Sequence, residues 1–110
     1  MEGILQLAAA EAVREDTQRK RKVLIIGLTQ QQFTPIQEEF AKLLDVRWKP
    51  ADVSTMQIRD SAQNMDLVIQ TKWSSHHVSE ALKSAGIKFT FLHGGLEEVR
   101  AKLEEFYALN

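Results

Sequence analysis

The run Val23-Leu24-Ile25-Ile26-Gly27 limits the possible folds more than any other stretch of this chain. It is continuous, apolar and mostly β-branched, and a glycine closes it. A strand with no polar alternation has no solvent face, so both of its faces must be covered by helices, as at the centre of a parallel sheet. Leu67-Val68-Ile69, within Asp66 to Thr71, repeats the pattern and predicts a second central strand. Val46-Arg47-Trp48-Lys49 instead alternates apolar and charged and runs into Pro50, which places it at a sheet edge. Ile87 to Leu92 also alternates, which predicts the other edge or a half-covered position.

Between these runs the spacing turns helical. Thr34-Pro35-Ile36-Gln37 reads as a helix start, with a threonine cap, proline at the first helical position and a glutamine three residues after the cap. Ile36, Phe40, Leu43 and Leu44 then share a face. Ser54-Thr55-Met56-Gln57 is a second capping box, followed by Ile58, Ala62 and Met65. Ser74 or Ser75 opens a helix with Val78, Ala81, Leu82 and Ala85 on one stripe and Gly86 as its stop. Gly94-Gly95 leads into a last helix with Leu96, Val99, Leu103 and Phe106 inward and a Glu98–Lys102 pair outside.

Strands alternating with helices predict an α/β fold: an N-terminal helix plus four strand–helix units, (βα)4. Two central and two edge strands give a four-stranded parallel sheet in order 2-1-3-4, a Rossmann-like or flavodoxin-like three-layer sandwich. Residues 1–21 form the N-terminal helix and a basic connector, and residues 22–110 the α/β domain.

At 110 residues this is one domain, long enough to bury roughly two-thirds of its unfolded surface. A formal charge of -1 gives the molecule no overall pull toward nucleic acid or an anionic membrane. The absence of cysteine removes thiolate chemistry and disulfides. The apolar run Ile4 to Ala10 follows Glu2 and is far too short to span a bilayer, so a soluble cytoplasmic protein without membrane contact is expected. Residues 1–17 favour helix by composition, with Ile4, Leu5, Ala8, Ala9 and Ala12 on one narrow face. That face predicts a homo-oligomer, a dimer through the N-terminal helix. The run Arg19-Lys20-Arg21-Lys22 is most simply a solvated connector, although with Lys72 it would serve a nucleic-acid accessory protein.

Ligands in open α/β sheets bind beyond the carboxyl ends of the strands, where the strand order reverses. Three loops should meet there, 27–33, 71–77 and 93–95, and they hold all three histidines. The candidate ligand-binding residues are Gly27, Thr29, Gln30, Thr71, Lys72, Ser75, His76, His93, Gly94 and Gly95. The helix starts after Ser75 and Gly95 offer free N–H groups to an anion, and the hydroxyls and amides of Thr29, Gln30 and Thr71 suit a sugar or phosphoester. Trp73 could stack on a base or anchor an interface. His76 and His77 are adjacent and so point apart on a helix, without i,i+3 or i,i+4 spacing or carboxylates beside them, and no metal site is expected. The loop after the first strand fits neither the P-loop nor the dinucleotide fingerprint, and no cofactor is expected. Gln70-Thr71 and Leu28-Thr29-Gln30 stand where receiver domains need acids, and no G-x-S-x-G elbow occurs.

These residues predict a non-catalytic, self-associating module that recognises a small anionic ligand, a nucleotide or phosphoester, or a protein partner at the carboxyl edge. The alternative is a small enzyme or phosphocarrier using His76 as its catalytic residue, with Thr71 and Ser75.

Val23-Leu24-Ile25-Ile26-Gly27, Asp66-Leu67-Val68-Ile69, Thr71, Ser75-His76 with Lys83, and Gly94-Gly95-Leu96 together carry a resemblance over about residues 22 to 106. The chain resembles a family of small bacterial α/β domains of unknown function. That family often has a second glycine after the first strand, where Leu28 stands here. The resemblance implies a Rossmann-like fold and singles out Thr71, Ser75 and His76. It implies no activity.

Overall fold

A computed structural model describes residues 20–109. The proposed contact through Ile4, Leu5, Ala8, Ala9 and Ala12, like Arg19 of the basic run, lies outside the described residues. The order of elements is β1 (Arg21–Ile26), α1 (Gln30–Phe40), β2 (Leu44–Lys49), α2 (Thr55–Ala62), β3 (Leu67–Thr71), α3 (His76–Ser84), β4 (Thr90–Leu92) and α4 (Leu96–Ala108). The four strands form one sheet in the order β2-β1-β3-β4. Every neighbouring pair is parallel, with Val23 opposite Val46 and Leu67, and Gln70 opposite Phe91. This is the Rossmann-like, flavodoxin-like α/β arrangement.

Alternation along the strands divides the core in two. Val23, Ile25 and Ile69 pack with Phe33, Ile36 and Phe40 of α1 and Val99 and Leu103 of α4. Leu24, Ile26 and Val68 pack on the other face with Ile58 and Ala62 of α2 and Val78, Ala81 and Leu82 of α3. Val23 to Ile26 are at most 1 % exposed, which is why this part of β1 carries no polar residue.

The structure corrects the sequence reading at three places. Helix α1 starts five residues earlier than a cap at Thr34 would have it, because Thr29 forms a complete capping box with Gln32. Thr29 Oγ1 accepts from the Gln32 amide at 3.1 Å, and Gln32 Oε1 accepts from the Thr29 amide at 3.0 Å. Pro35 therefore lies inside the helix, where it offers no N–H to the Gln31 carbonyl. Gln31 is exposed, so water can take that carbonyl. Thr34, the residue expected to cap, donates its hydroxyl back to Gln30 O at 2.9 Å.

Strand β4 is only Thr90–Leu92, because the chain leaves α3 through Gly86 at a φ of 72° and spends the Ile87 amide on Leu82 O at 2.9 Å. Ile87 and Phe89 then pack against the α2–α3 core before the ladder begins at Thr90. On α4, Lys102 pairs with Glu105 at 3.4 Å rather than with Glu98.

Two ties close the amino edge. The Asp66 amide donates to Lys22 O at 2.8 Å while Asp66 Oδ2 accepts from the Lys22 amide at 2.7 Å. Arg21 reaches the end of α4, with Nη2 donating to Phe106 O at 2.6 Å and its guanidinium 4.0 Å from the centre of the Phe106 ring. Among the described residues no helix is long and apolar enough to cross a membrane.

Candidate functional site

Gly27 ends β1 with a φ of 111°, a conformation that side chains rarely adopt. A Cβ there would overlap Thr71 Oγ1 and lie 3.1 Å from the Ser74 amide nitrogen, so the turn after β3 packs directly onto the glycine. Thr71 is fully buried and donates its hydroxyl to Ile26 O at 3.0 Å. Ser74 donates to Thr71 O at 2.7 Å. These polar groups hold the ends of β1 and β3 together, and the Thr71 hydroxyl is turned inward, away from solvent.

The packed turn leaves a cleft of about 370 Å³ beside it, opening over the ends of β1 and β2. One wall is Gly27, Leu28, Thr29 and Gln32 from the start of α1. The other is Trp48, Pro50, Ala51 and Asp52, from the end of β2 and the loop that follows, and Trp73 joins from the turn after β3. Both tryptophans of the protein thus face one space. Trp48 is half-buried and stacked on Phe33, with ring centres 5.8 Å apart and planes at 30°, so it is a fixed surface. Trp73 is 39 % exposed, and Lys72 Nζ sits 5.3 Å from its ring centre. The volume falls in the ordinary range for small-molecule pockets, about 300–1,000 Å³.

Of the residues expected to bind a ligand, Gly27 and Thr29 line this cleft. Gln30, Thr71, Lys72, Ser75, His76, His93, Gly94 and Gly95 do not. His76 is exposed in the first turn of α3. Its neighbour His77 is the histidine built into the structure: Nε2 lies 2.8 Å from Val53 O, and Nδ1 pairs with Ser75 Oγ. A carbonyl only accepts, so Nε2 carries the hydrogen, and in the neutral ring Nδ1 accepts from the Ser75 hydroxyl. The bridge ties the start of α3 to the loop that supplies Pro50, Ala51 and Asp52. Ser75 makes no side-chain cap, so the first amides of α3 are without a side-chain acceptor from it.

His93 stacks edge-on against Phe91, ring centres 4.6 Å apart, on the far edge strand. The Gly94-Gly95 turn is already supplied with negative charge. Glu97 and Glu98 occupy the first turn of α4, and a Cβ on Gly94 would overlap the Glu98 carboxylate. The basic run and Lys72 are at opposite ends of the sheet, since Arg21 begins β1 and Lys72 follows β3. Lys20 donates to Ala41 O at 2.6 Å, and with Lys22 it lines a larger groove of about 600 Å³ at the amino edge. Among the described residues that groove is lined by Gln37 and Asp45 but by no aromatic residue, and it lies away from the carboxyl ends where loops converge. Among the described residues no three His, Asp or Glu side chains are grouped to hold a metal ion.

The cleft residues missed in the sequence are Leu28, Gln32, Trp48, Pro50, Ala51 and Asp52. A signal was present. Pro50 marked the carboxyl end of an edge strand, and in a parallel sheet that end shares an edge with the ends of β1 and β3. The chain matches no family model, no curated protein and no solved structure.

Proposed function

We propose that this protein is a non-catalytic binding module that takes a flat or apolar group of a ligand or partner in the cleft between Trp48 and Trp73. The observation that carries this reading is that both tryptophans, one fixed by Phe33 and one exposed, line a single cleft at the carboxyl edge of the sheet. Indole faces provide large contact area at low entropic cost, and Thr29, Gln32 and Asp52 in the wall supply orientation. The remaining polar groups nearby favour binding over chemistry. Thr71 donates to a backbone carbonyl, and Ser75 is paired with His77 rather than with His76.

A small anion is the second reading, supported by the uncapped start of α3 with Lys72 close in sequence. Against it, Asp52 is the charged group in the cleft wall and Glu97 and Glu98 occupy the start of α4. Self-association through residues 4–12 belongs to the same proposal and rests on the spacing of Ile4, Leu5, Ala8, Ala9 and Ala12 in the sequence.

The test is intrinsic tryptophan fluorescence against a panel of small aromatic, sugar and phosphoester compounds, with Trp73→Ala beside the wild type. Stacking on an exposed indole predicts a loss of about tenfold or more in affinity for any hit, with unchanged circular dichroism. Hits that bind Trp73→Ala equally well would overturn the assignment of the site.

A further inference from the structure

The charge of the cleft narrows its ligand. Among the described residues Asp52 is the one ionisable group in its wall, and no Lys, Arg or His lines it. Two indoles therefore meet one carboxylate in a space of about 370 Å³. Indole faces are negative at the centre of the ring and attract cations, best those with a weakly held hydration shell. The Lys72 ammonium sits 5.3 Å from the centre of the Trp73 ring. A primary ammonium is strongly hydrated and rides on a flexible stem, so it is a weak competitor for that ring.

Resting on the cleft reading above, we infer that the ligand carries an alkylated, quaternary ammonium group, held against Trp48 and Trp73 with Asp52 as its counter-charge. Such a group is apolar on its surface and positive at its centre, so it matches an aromatic wall and a carboxylate at once. Phosphate and phosphoesters match neither. Lys72 then acts as an internal competitor, because it places a positive charge on the same ring.

Choline and its uncharged carbon isostere, in which a carbon atom replaces the ammonium nitrogen, form the test pair. They have nearly the same shape, so their difference reports charge alone. Both are titrated against the full-length protein, followed by tryptophan fluorescence and checked by calorimetry. Choline should bind about tenfold more tightly than the isostere. Asp52→Asn should remove most of that difference while leaving the isostere unchanged, and Lys72→Met should tighten choline a few-fold. Equal binding of the two probes would overturn the charge inference while leaving the cleft as a binding site. Binding of neither probe, or weaker choline binding in Lys72→Met, would also overturn it. A ligand found by the broader panel to depend on Trp73 but bind without charge preference would separate failure of this inference from failure of the proposed function.

Discussion

Replacing Gly27 by alanine probes the junction on which the site is built. The glycine sits at a φ of 111°, and holding an alanine in such a region costs about 1–3 kcal/mol. The new Cβ also overlaps Thr71 Oγ1, which is fully buried and cannot turn outward without giving up its 3.0 Å bond to Ile26 O. A buried carbonyl left without its donor adds about 1–3 kcal/mol. The Ser74 amide, 3.1 Å from the same Cβ, is backbone and yields little. The terms add to about 2–6 kcal/mol, against a total stability of about 5–15 kcal/mol for a domain of this kind. Urea unfolding followed by far-UV circular dichroism measures the loss as a lower midpoint at unchanged slope. Gly27→Ala in a Thr71→Ala background separates the terms. With the hydroxyl gone, only the backbone strain and the Ser74 contact remain, so the two changes should be coupled by about 1–3 kcal/mol. A loss below about 1 kcal/mol for Gly27→Ala, or simple additivity with Thr71→Ala, would refute the account of this junction.

Four further outcomes are expected. Thr29→Ala should cost about 1 kcal/mol and Thr34→Ala clearly less, because Thr29 forms the capping box of α1; the reverse order in urea titrations would return the helix start to Thr34. Arg21→Ala should cost about 1–3 kcal/mol through its bonds to the last carbonyls of α4, and amide exchange should quicken first at Phe106 and Tyr107. His77→Ala should speed amide exchange at Asp52 and Val53 whereas His76→Ala should not, since only His77 reaches the Val53 carbonyl. Deleting residues 1–17 should lower the number of subunits measured by light scattering, and an unchanged number removes the homomeric contact from the proposal.

The sheet was legible because burial on two faces leaves an unmistakable trace. Val23 to Ile26 and Leu67 to Ile69 are uniformly apolar because they lie at the centre, and the charged alternation of β2 running into Pro50 fits its place at the edge. Helix starts were legible where one capping box stood alone, as at Ser54. At α1 the sequence points to Thr34 and Pro35, and the reciprocal bonds of Thr29 and Gln32 outweigh the preference of Pro35 for the first turn. The site was half legible. Parallel strands fixed which edge to inspect, but whether a hydroxyl faces inward or outward depends on contacts across some forty residues, as with Thr71 and Ile26. For the same reason the adjacent histidines could not be ranked, since the partner of His77 is a carbonyl in a different loop. The sequence reading centred on the space between β1, β3 and β4. Gly27 and the turn after β3 fill the β1–β3 junction, which moves the opening to the β1–β2 side.

The measurement that bears most directly on the central claim is a two-dimensional NMR titration following the indole N–H signals of Trp48 and Trp73, with the Gly27 and Asp52 amides. A ligand of the cleft is predicted to shift both indoles together with these amides, with one affinity for all four. Shifts confined to Lys20, Lys22 and the amino edge, or to Phe91 and His93 on the far strand, would contradict the claim that the carboxyl-edge cleft is where this protein binds.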